Sequence, residues 1–146
     1  MYHSINISGV NTYERWHMVP SSRPLINLPP VKTNYVEIPG TSIVLDYTEM
    51  LLGSGKVAYG QRTGSWEFLL RPESKWAEVY ADLANYLHGK QHTIILEDDP
   101  DYYYKGRLSV NQWRSEEKNS TVTIDYTLNP FKYNVDGDDK DEEAGL

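Results

Sequence analysis

Eight consecutive residues, TVTIDYTL (121–128), alternate without interruption: Val122, Ile124, Tyr126 and Leu128 fall on one side of an extended chain, Thr121, Thr123, Asp125 and Thr127 on the other. Only a β-strand buries every second residue, so this segment must lie in a sheet with one face covered and one face wet. Residues 104–113 repeat the pattern, with Leu108 and Val110 opposed to Arg107, Ser109 and Asn111, and the SEEKNS between the two runs reads as a hairpin loop. HTIILED (92–98) has three apolar residues in a row, which suits a strand covered on both faces or one at a subunit contact. Further strands are predicted at 2–7, 13–19, 34–38, 42–47, 56–61 and 65–70, nearly all short and bounded by Gly, Pro, Asn or Ser.

One segment departs from this rhythm. Across residues 74–88, Trp76, Val79, Tyr80, Leu83 and Leu87 recur at helical spacing, while Lys75, Glu78, Asp82 and Asn85 face away. Ser74 is placed to cap the start and Gly89 to take a left-handed conformation after the end. The expected fold is mainly β with one flanking α-helix whose Trp/Leu stripe packs on the sheet.

At 146 residues the chain has the length of one domain and can bury a core without staples; it has no cysteine, hence no disulfide framework or thiolate chemistry. No apolar run approaches the ~20 residues of a membrane span, so no membrane insertion is expected. The net charge of -7 is concentrated at the end: NVDGDDKDEEAGL (134–146) holds six acids and one lysine, a net of -5, which leaves -2 for the rest. Residues 1–133 therefore read as the folded domain and 134–146 as an acidic, disordered tail. The tail is no calcium loop, because Lys140 would fall on a ligand position and Asp141 where a glycine must turn.

Catalytic and metal constellations fail on spacing. His88 and His92 are four apart, but Gly89 and Lys90 end the helix between them. GSGKVAYG (53–60) lacks the first glycine of a phosphate loop and the hydroxyl after Lys56. Asp98, Asp99 and Asp101 sit beside Pro100 at a turn, where nothing desolvates one carboxyl relative to another. The stretch EDDPDYYYKGR (97–107) reads as architecture, with Asp98, Asp99 and Pro100 making a solvated turn that ends one strand before the tyrosines start the next.

Two features point outward. Twelve tyrosines and four tryptophans against two phenylalanines favour surfaces that meet water or a partner, as in a protein interface or a sugar-binding face; alternatively Trp66, Trp76 and Trp113 simply fill the core. Residues 15–40, RWHMVPSSRPLINLPPVKTNYVEIPG, carry five of the eight prolines and so form an extended arm, whose Leu25, Ile26, Leu28, Val31 and Val36 either wrap its own domain or lie against a neighbour.

The order of Asn11-Thr12, Trp16, Arg23-Pro24, Pro30, VEIPG (36–40) and LDYTE (45–49) resembles the N-terminal domain of the distal tail proteins of long-tailed bacteriophages. YGQRTGSWEF (59–68), LANYLHGK (83–90), EDDPDYYYKGR and NPFKY (129–133) continue the resemblance, which covers residues 2–133. One departure is Thr41-Ser42-Ile43, where that family places an Asp-Gly turn before LDYTE. Many relatives also carry a second, C-terminal β domain with which side-fibre docking and host-carbohydrate binding are associated.

The resemblance implies a β-sandwich or split β-barrel like that of phage tail-tube subunits, and a structural role with no active site and no cofactor. It further implies a ring, usually of six copies, at the distal end of the tail tube, assembled in the host cytoplasm and carried in the virion tail. Tail tube protein, tail-tip hub protein and tape measure protein are the implied partners, with DNA passing through unbound. On that view Arg23, Pro24, Leu25, Ile26, Leu28, Pro30 and Val31 form the subunit contact, and Gly53, Ser54, Gly55 and Lys56 touch the ring above or below. The contrasting expectation is a monomeric carbohydrate-binding β-sandwich that uses exposed Tyr and Trp as a stacking platform.

Overall fold

The computed structural model describes residues 3–48, 56–70, 75–115, 120–135 and 145–146. Among them, β1 (Ile5–Ile7), β2 (Val10–Asn11), α1 (Thr12–Trp16) and β3 (Met18–Pro20) come first, followed by β4 (Tyr35–Glu37) and β5 (Val44–Asp46). Then come β6 (Arg62–Leu70), α2 (Trp76–Leu87), β7 (Gln91–Leu96), β8 (Asp99–Ser115), β9 (Ser120–Leu128) and β10 (Tyr133–Asn134). One antiparallel sheet runs in the order β2-β1-β7-β8-β9-β6-β3, with β10 joined to β8, and curls into a half-barrel; β4 and β5 pair as a separate hairpin. The fold is mainly β, of the split-barrel kind expected, with a second helix, α1, beside the one predicted.

Strand β9 fulfils its alternation: Val122, Ile124, Tyr126 and Leu128 are all buried, and they meet Trp66, Phe68 and Arg62 of β6 on one side and Leu108 and Val110 of β8 on the other. Ile5, Ile7, Trp16, Met18, Ile94, Leu83 and Leu87 complete the core. The opposite face of the same strands carries Thr63, Ser65, Glu67, Arg107, Ser109, Thr123, Asp125 and Thr127, an open polar surface set by period two alone.

Three expectations are corrected. Residues 13–19 are not one strand: the Asn11 side chain accepts from the backbone N–H of Tyr13 and Glu14, which starts α1, and β3 begins only at Met18 after His17 turns left-handed (φ 55°). A favourable cap outweighed the apparent alternation. Residues 56–61 form no strand and contribute a single bridge, Val31 to Tyr59. The stripe of α2 is buried only in its C-terminal half; Leu83 and Leu87 are fully covered, worth about 1.5–3 kcal/mol each, whereas Trp76 and Tyr80 are about half exposed. Ser74 lies outside the described residues, and Lys75 occupies the N-cap position without a side-chain cap; Gly89 (φ 74°) ends the helix as expected.

Asp82 does not face away either. Its carboxylate accepts two hydrogen bonds from Arg15 (2.9 and 3.0 Å) and one from Trp16 Nε1 (2.7 Å), so α1 is clamped to α2 and Trp16 is held in the core. The Arg15 hydrogen bond, opposed by partial burial, holds the Asp82 carboxyl below its usual range. A carboxyl lowered in the folded state stabilises above its unfolded value, about pH 4, and that contribution is lost as pH falls through the folded value. Asp82→Asn is expected to lower Tm at pH 7 and to flatten the decline of Tm between pH 5 and 3, measured by calorimetry; a decline as steep as in the parent would show that the clamp does not govern the acid limb.

Candidate functional site

The proline-rich arm runs along its own domain and turns an apolar edge outward. It is fixed at successive points: Ser21 N–H donates to Glu67 O, Trp66 Nε1 to Leu25 O (3.0 Å), Asn27 N–H to Tyr126 Oη (2.8 Å) and Asn27 Nδ2 to Thr63 O. Further along, Gly60 N–H donates to Pro30 O and Lys32 N–H to Ala58 O. Prolines suit such a path, because the arm's carbonyls accept from the domain while the missing proline N–H groups cost nothing there. Pro24 is buried and Ile26 packs against the core, whereas Leu25 and Leu28 are 69% and 73% exposed and Val31 and Pro30 face solvent.

Hairpin β4–β5 extends this surface. Both its strands are exposed along their whole length, with Val36 opposite Leu45, Tyr35 opposite Asp46 and Glu37 opposite Val44. Its loop replaces an Asp-Gly turn by Gly40 in the left-handed region (φ 78°), with Thr41 Oγ1 donating to Ile38 O and accepting from Ile43 N–H. A two-stranded ribbon exposed on both faces is marginal by itself in water, and large apolar side chains on it signal a partner. Tyr35, Ile43, Val44 and Tyr47 belong to this surface; the sequence reading singled out only Val36.

The arm is anchored on two unusual polar groups. Tyr126, stacked on Trp66 at 4.7 Å, spends its hydroxyl on Asn27, and Gly64 leaves the space for that contact: a Cβ there would stand 2.6 Å from Tyr126 Cζ and 2.7 Å from Asn27 Nδ2. Arg62 is 2% exposed, donates from Nε to Pro130 O (2.9 Å) and from Nη1 to Asn27 O (3.3 Å), and stacks over the Tyr104 ring at 5.2 Å. Burial holds its pKa down, and no described carboxylate lies within ion-pair distance. Tyr126→Phe strands the Asn27 N–H and is expected to cost about 1–3 kcal/mol and to speed proteolytic nicking within residues 23–32, followed by mass spectrometry. Nicking at the parental rate would remove the hydroxyl from the anchor.

The acidic turn is narrower than expected. Glu97 and Asp98 make the reversal, and Asp99 and Pro100 already belong to β8, with Leu96 paired to Asp99. Nor is it merely solvated: Glu97 accepts from Ser4 N–H (2.7 Å) and Oγ (2.6 Å), which depress its pKa, and Asp98 receives His3 Nδ1 at 2.8 Å and lies 3.7 Å from Arg23 Nε. The turn thus joins the N-terminal segment to the root of the arm. Gly53, Ser54 and Gly55 lie outside the described residues, and Lys56 is exposed.

No group of side chains suited to hold a metal occurs among the described residues, and none of their helices is long and apolar enough to cross a membrane. His92 is buried, and its Nδ1 shares a hydrogen bond with Ser8 Oγ (3.0 Å), which also accepts from Thr93 N–H. Burial lowers its pKa, and no described carboxylate hydrogen-bonds the ring, so the pair lacks the orienting acid of a hydrolytic triad. Of the tryptophans, Trp16 and Trp66 are core, Trp113 is partly covered beneath Tyr80, and Trp76 is outside.

No protein-family model matches this sequence, and no curated protein matches it. Among solved structures the chain is similar to SPP1 Dit (gp 19.1), whose crystal structure is described as a paradigm of the hub adsorption apparatus in phages that infect Gram-positive bacteria. The two agree with a TM-score of 0.68 at 13% identity, over 92% of this chain and 53% of Dit, so this chain spans about half the length of that protein. Over nearly its whole length, then, the chain shares the fold of a phage distal-tail hub protein.

Proposed function

We propose that this chain is a structural component of a long-tailed phage, a ring-forming hub subunit at the distal end of the tail tube. The observation that carries the reading is the apolar arm and hairpin surface on a fold shared with SPP1 Dit. An arm fixed to its own domain by backbone hydrogen bonds, yet turning Leu25, Leu28 and Val31 outward beside β4–β5, is built to lie on the next subunit. Past Arg107 the β8 edge is first capped by the end of α2, with Leu108 bonded to Lys90 and Gly89 and the Val110 N–H to His88 Nδ1; only the stretch from Val110 to Ser115 is proposed as an edge that a closed ring would pair. Six copies are proposed.

The polar face of β6, β8 and β9 is assigned to the lumen. Glu67 and Asp125 interspersed with Arg107 and with threonines would let a polyanion slide, where a uniformly basic wall would hold its phosphates. Residues 53–56 are proposed to touch the adjoining ring, and the tail tube, tip hub and tape measure proteins to be neighbours in the virion, with assembly in the host cytoplasm. The reading is tested by light scattering after size exclusion over a concentration series, with negative-stain images of the largest species. Rings of about six copies are expected. A persistent monomer, alone and with tail tube protein, that binds glycans through Trp76 and Tyr80 would replace the hub by the carbohydrate module.

A further inference from the structure

The two histidines whose spacing fails as a metal pair hold a different position in the fold. After α2 the chain crosses the free side of β8 and closes it: Gly89 N–H donates to Leu108 O (2.7 Å), Leu108 N–H to Lys90 O (3.2 Å) and Val110 N–H to His88 Nδ1 (3.0 Å). A backbone N–H can only donate, so His88 Nδ1 carries a lone pair, and a protonated imidazole cannot hold this bond. Two residues beyond Lys90, His92 is buried and stacked on Tyr86 at 5.3 Å, with Nδ1 on Ser8 Oγ (3.0 Å) and Nε2 without a hydrogen-bond partner among the described residues. A proton on either ring meets cations and no acid. Near His88 stand Lys90, whose Nζ donates to Asn85 O, and Arg107, whose Nη1 donates to Gly89 O (2.9 Å). Around His92, α2 presents the Tyr86 ring and the Leu87 and Tyr86 carbonyls, the β1–β2 turn presents Ser8, and β8 presents Gly106 between Lys105 and Arg107. From α1, Arg15 lies over the same Tyr86 ring at 4.8 Å and is paired with Asp82. No described carboxylate forms an ion pair with either histidine.

We infer that residues 88–92 are an acid-released cap on the β8 edge: with both imidazoles neutral they hold Leu108 and Val110 closed, and protonation frees that stretch of backbone. His88 acts at the bond itself, and His92 acts beneath it, where a charge would stand buried beside the end of α2. Burial, partly offset by the Leu87 carbonyl and reinforced by the Lys90 ammonium, holds the His92 pKa down. A histidine lowered in the folded state stabilises it above the unfolded value, about pH 6.5, and that contribution is lost as pH falls below 6.5 toward the folded value. The Asp82 clamp fails only at lower pH, below about pH 4, so the two events are separate. Opening the cap lengthens the unpaired edge of β8 from Val110 back to Leu108. That an adjacent copy pairs with the freed edge rests on the hub reading proposed above; the cap itself is a property of the single subunit.

Amide hydrogen exchange on the full chain, read by NMR as protection factors at pH 7.5 and pH 5.0, tests the cap, with Ile124 and Tyr126 at the centre of β9 as reference. Gly89, Leu108 and Val110 are expected to lose protection at least about tenfold on acidification while the β9 amides keep theirs. His88→Asn presents an amide oxygen where Nδ1 stood and does not titrate, so Val110 should stay protected at pH 5.0. Adding His92→Phe, which keeps a ring stacked on Tyr86, should preserve Gly89 and Leu108 as well. His88 is exposed, so if the double variant does not fold the single change decides alone. The inference is overturned if the three amides hold their protection at pH 5.0 in the parent, if Val110 loses it equally in His88→Asn, or if the β9 amides fall in step. Ring formation is read separately by light scattering at both pH values, so failure of the cap and failure of the hub reading are distinguishable.

Discussion

Gly106→Ala is expected to cost the fold about 3 kcal/mol or more. Gly106 lies where β7, β8 and β9 meet, opposite His92 on one side and Leu128 on the other. A Cβ there would run into the carbonyl oxygen of Thr127 and stand 2.6 Å from Leu128 Cα and 2.8 Å from Leu128 Cδ2. The first two are backbone atoms of a paired strand and cannot rotate aside, so relief requires β9 to move and the Val122 to Leu128 face to repack. Against a total stability of about 5–15 kcal/mol, the expected readout is a Tm lower by about 10 °C. An unchanged Tm would mean that β8 and β9 part more easily than a close-packed sheet allows.

The second large effect concerns assembly. Leu25→Asp combined with Leu28→Asp is expected to weaken ring formation at least about 100-fold while leaving the monomer intact. Both side chains are about 70% exposed in the single subunit, so the fold loses little, whereas a partner covering them would have to bury two unpaired carboxylates at about 2–5 kcal/mol each. Light scattering reads the oligomer and circular dichroism the fold. Rings of parental mass and stability from the double variant would remove the arm from the subunit contact, leaving β4–β5 as the surface to change next. The backbone bonds of Leu25 and Asn27 to Trp66 and Tyr126 are untouched by these substitutions, so the arm's path is preserved and the test addresses only its outward face.

The sequence located the arm by its prolines, but not what holds it. Trp66, Tyr126 and Arg62 look in sequence like three separated residues of two strands; only the register of β6 against β9, with Arg62 opposite Leu128 and Trp66 opposite Ile124, brings them under residues 25–27. The apolar character of β4–β5 was written in VEIPG and LDYTE, yet a reading that looked for one buried face could not foresee a hairpin exposed on both. The Asn11 cap was likewise legible, since Asn followed by Thr-Tyr-Glu is a helix-start pattern, but the alternation beyond it suggested a strand.

What the sequence determined by itself is whatever depends on neighbours along the chain. The two faces of β9, the end of α2 at Gly89, the prolines of the arm and the concentration of acids after Tyr133 all follow from residue type and spacing. What only the tertiary structure decided depends on distant segments meeting. The first turn of α2 overhangs the sheet, so Trp76 of a regular helical stripe is left outside; Asp82 becomes a clamp because α1, 66 residues earlier, comes to lie against it. At Gly106, β9 passes so close that an added Cβ would meet its backbone. Periodicity is a property of the backbone and survives in the sequence; steric exclusion and hydrogen-bond partnership belong to pairs of residues far apart in the chain, which exist only once the sheet has closed around them.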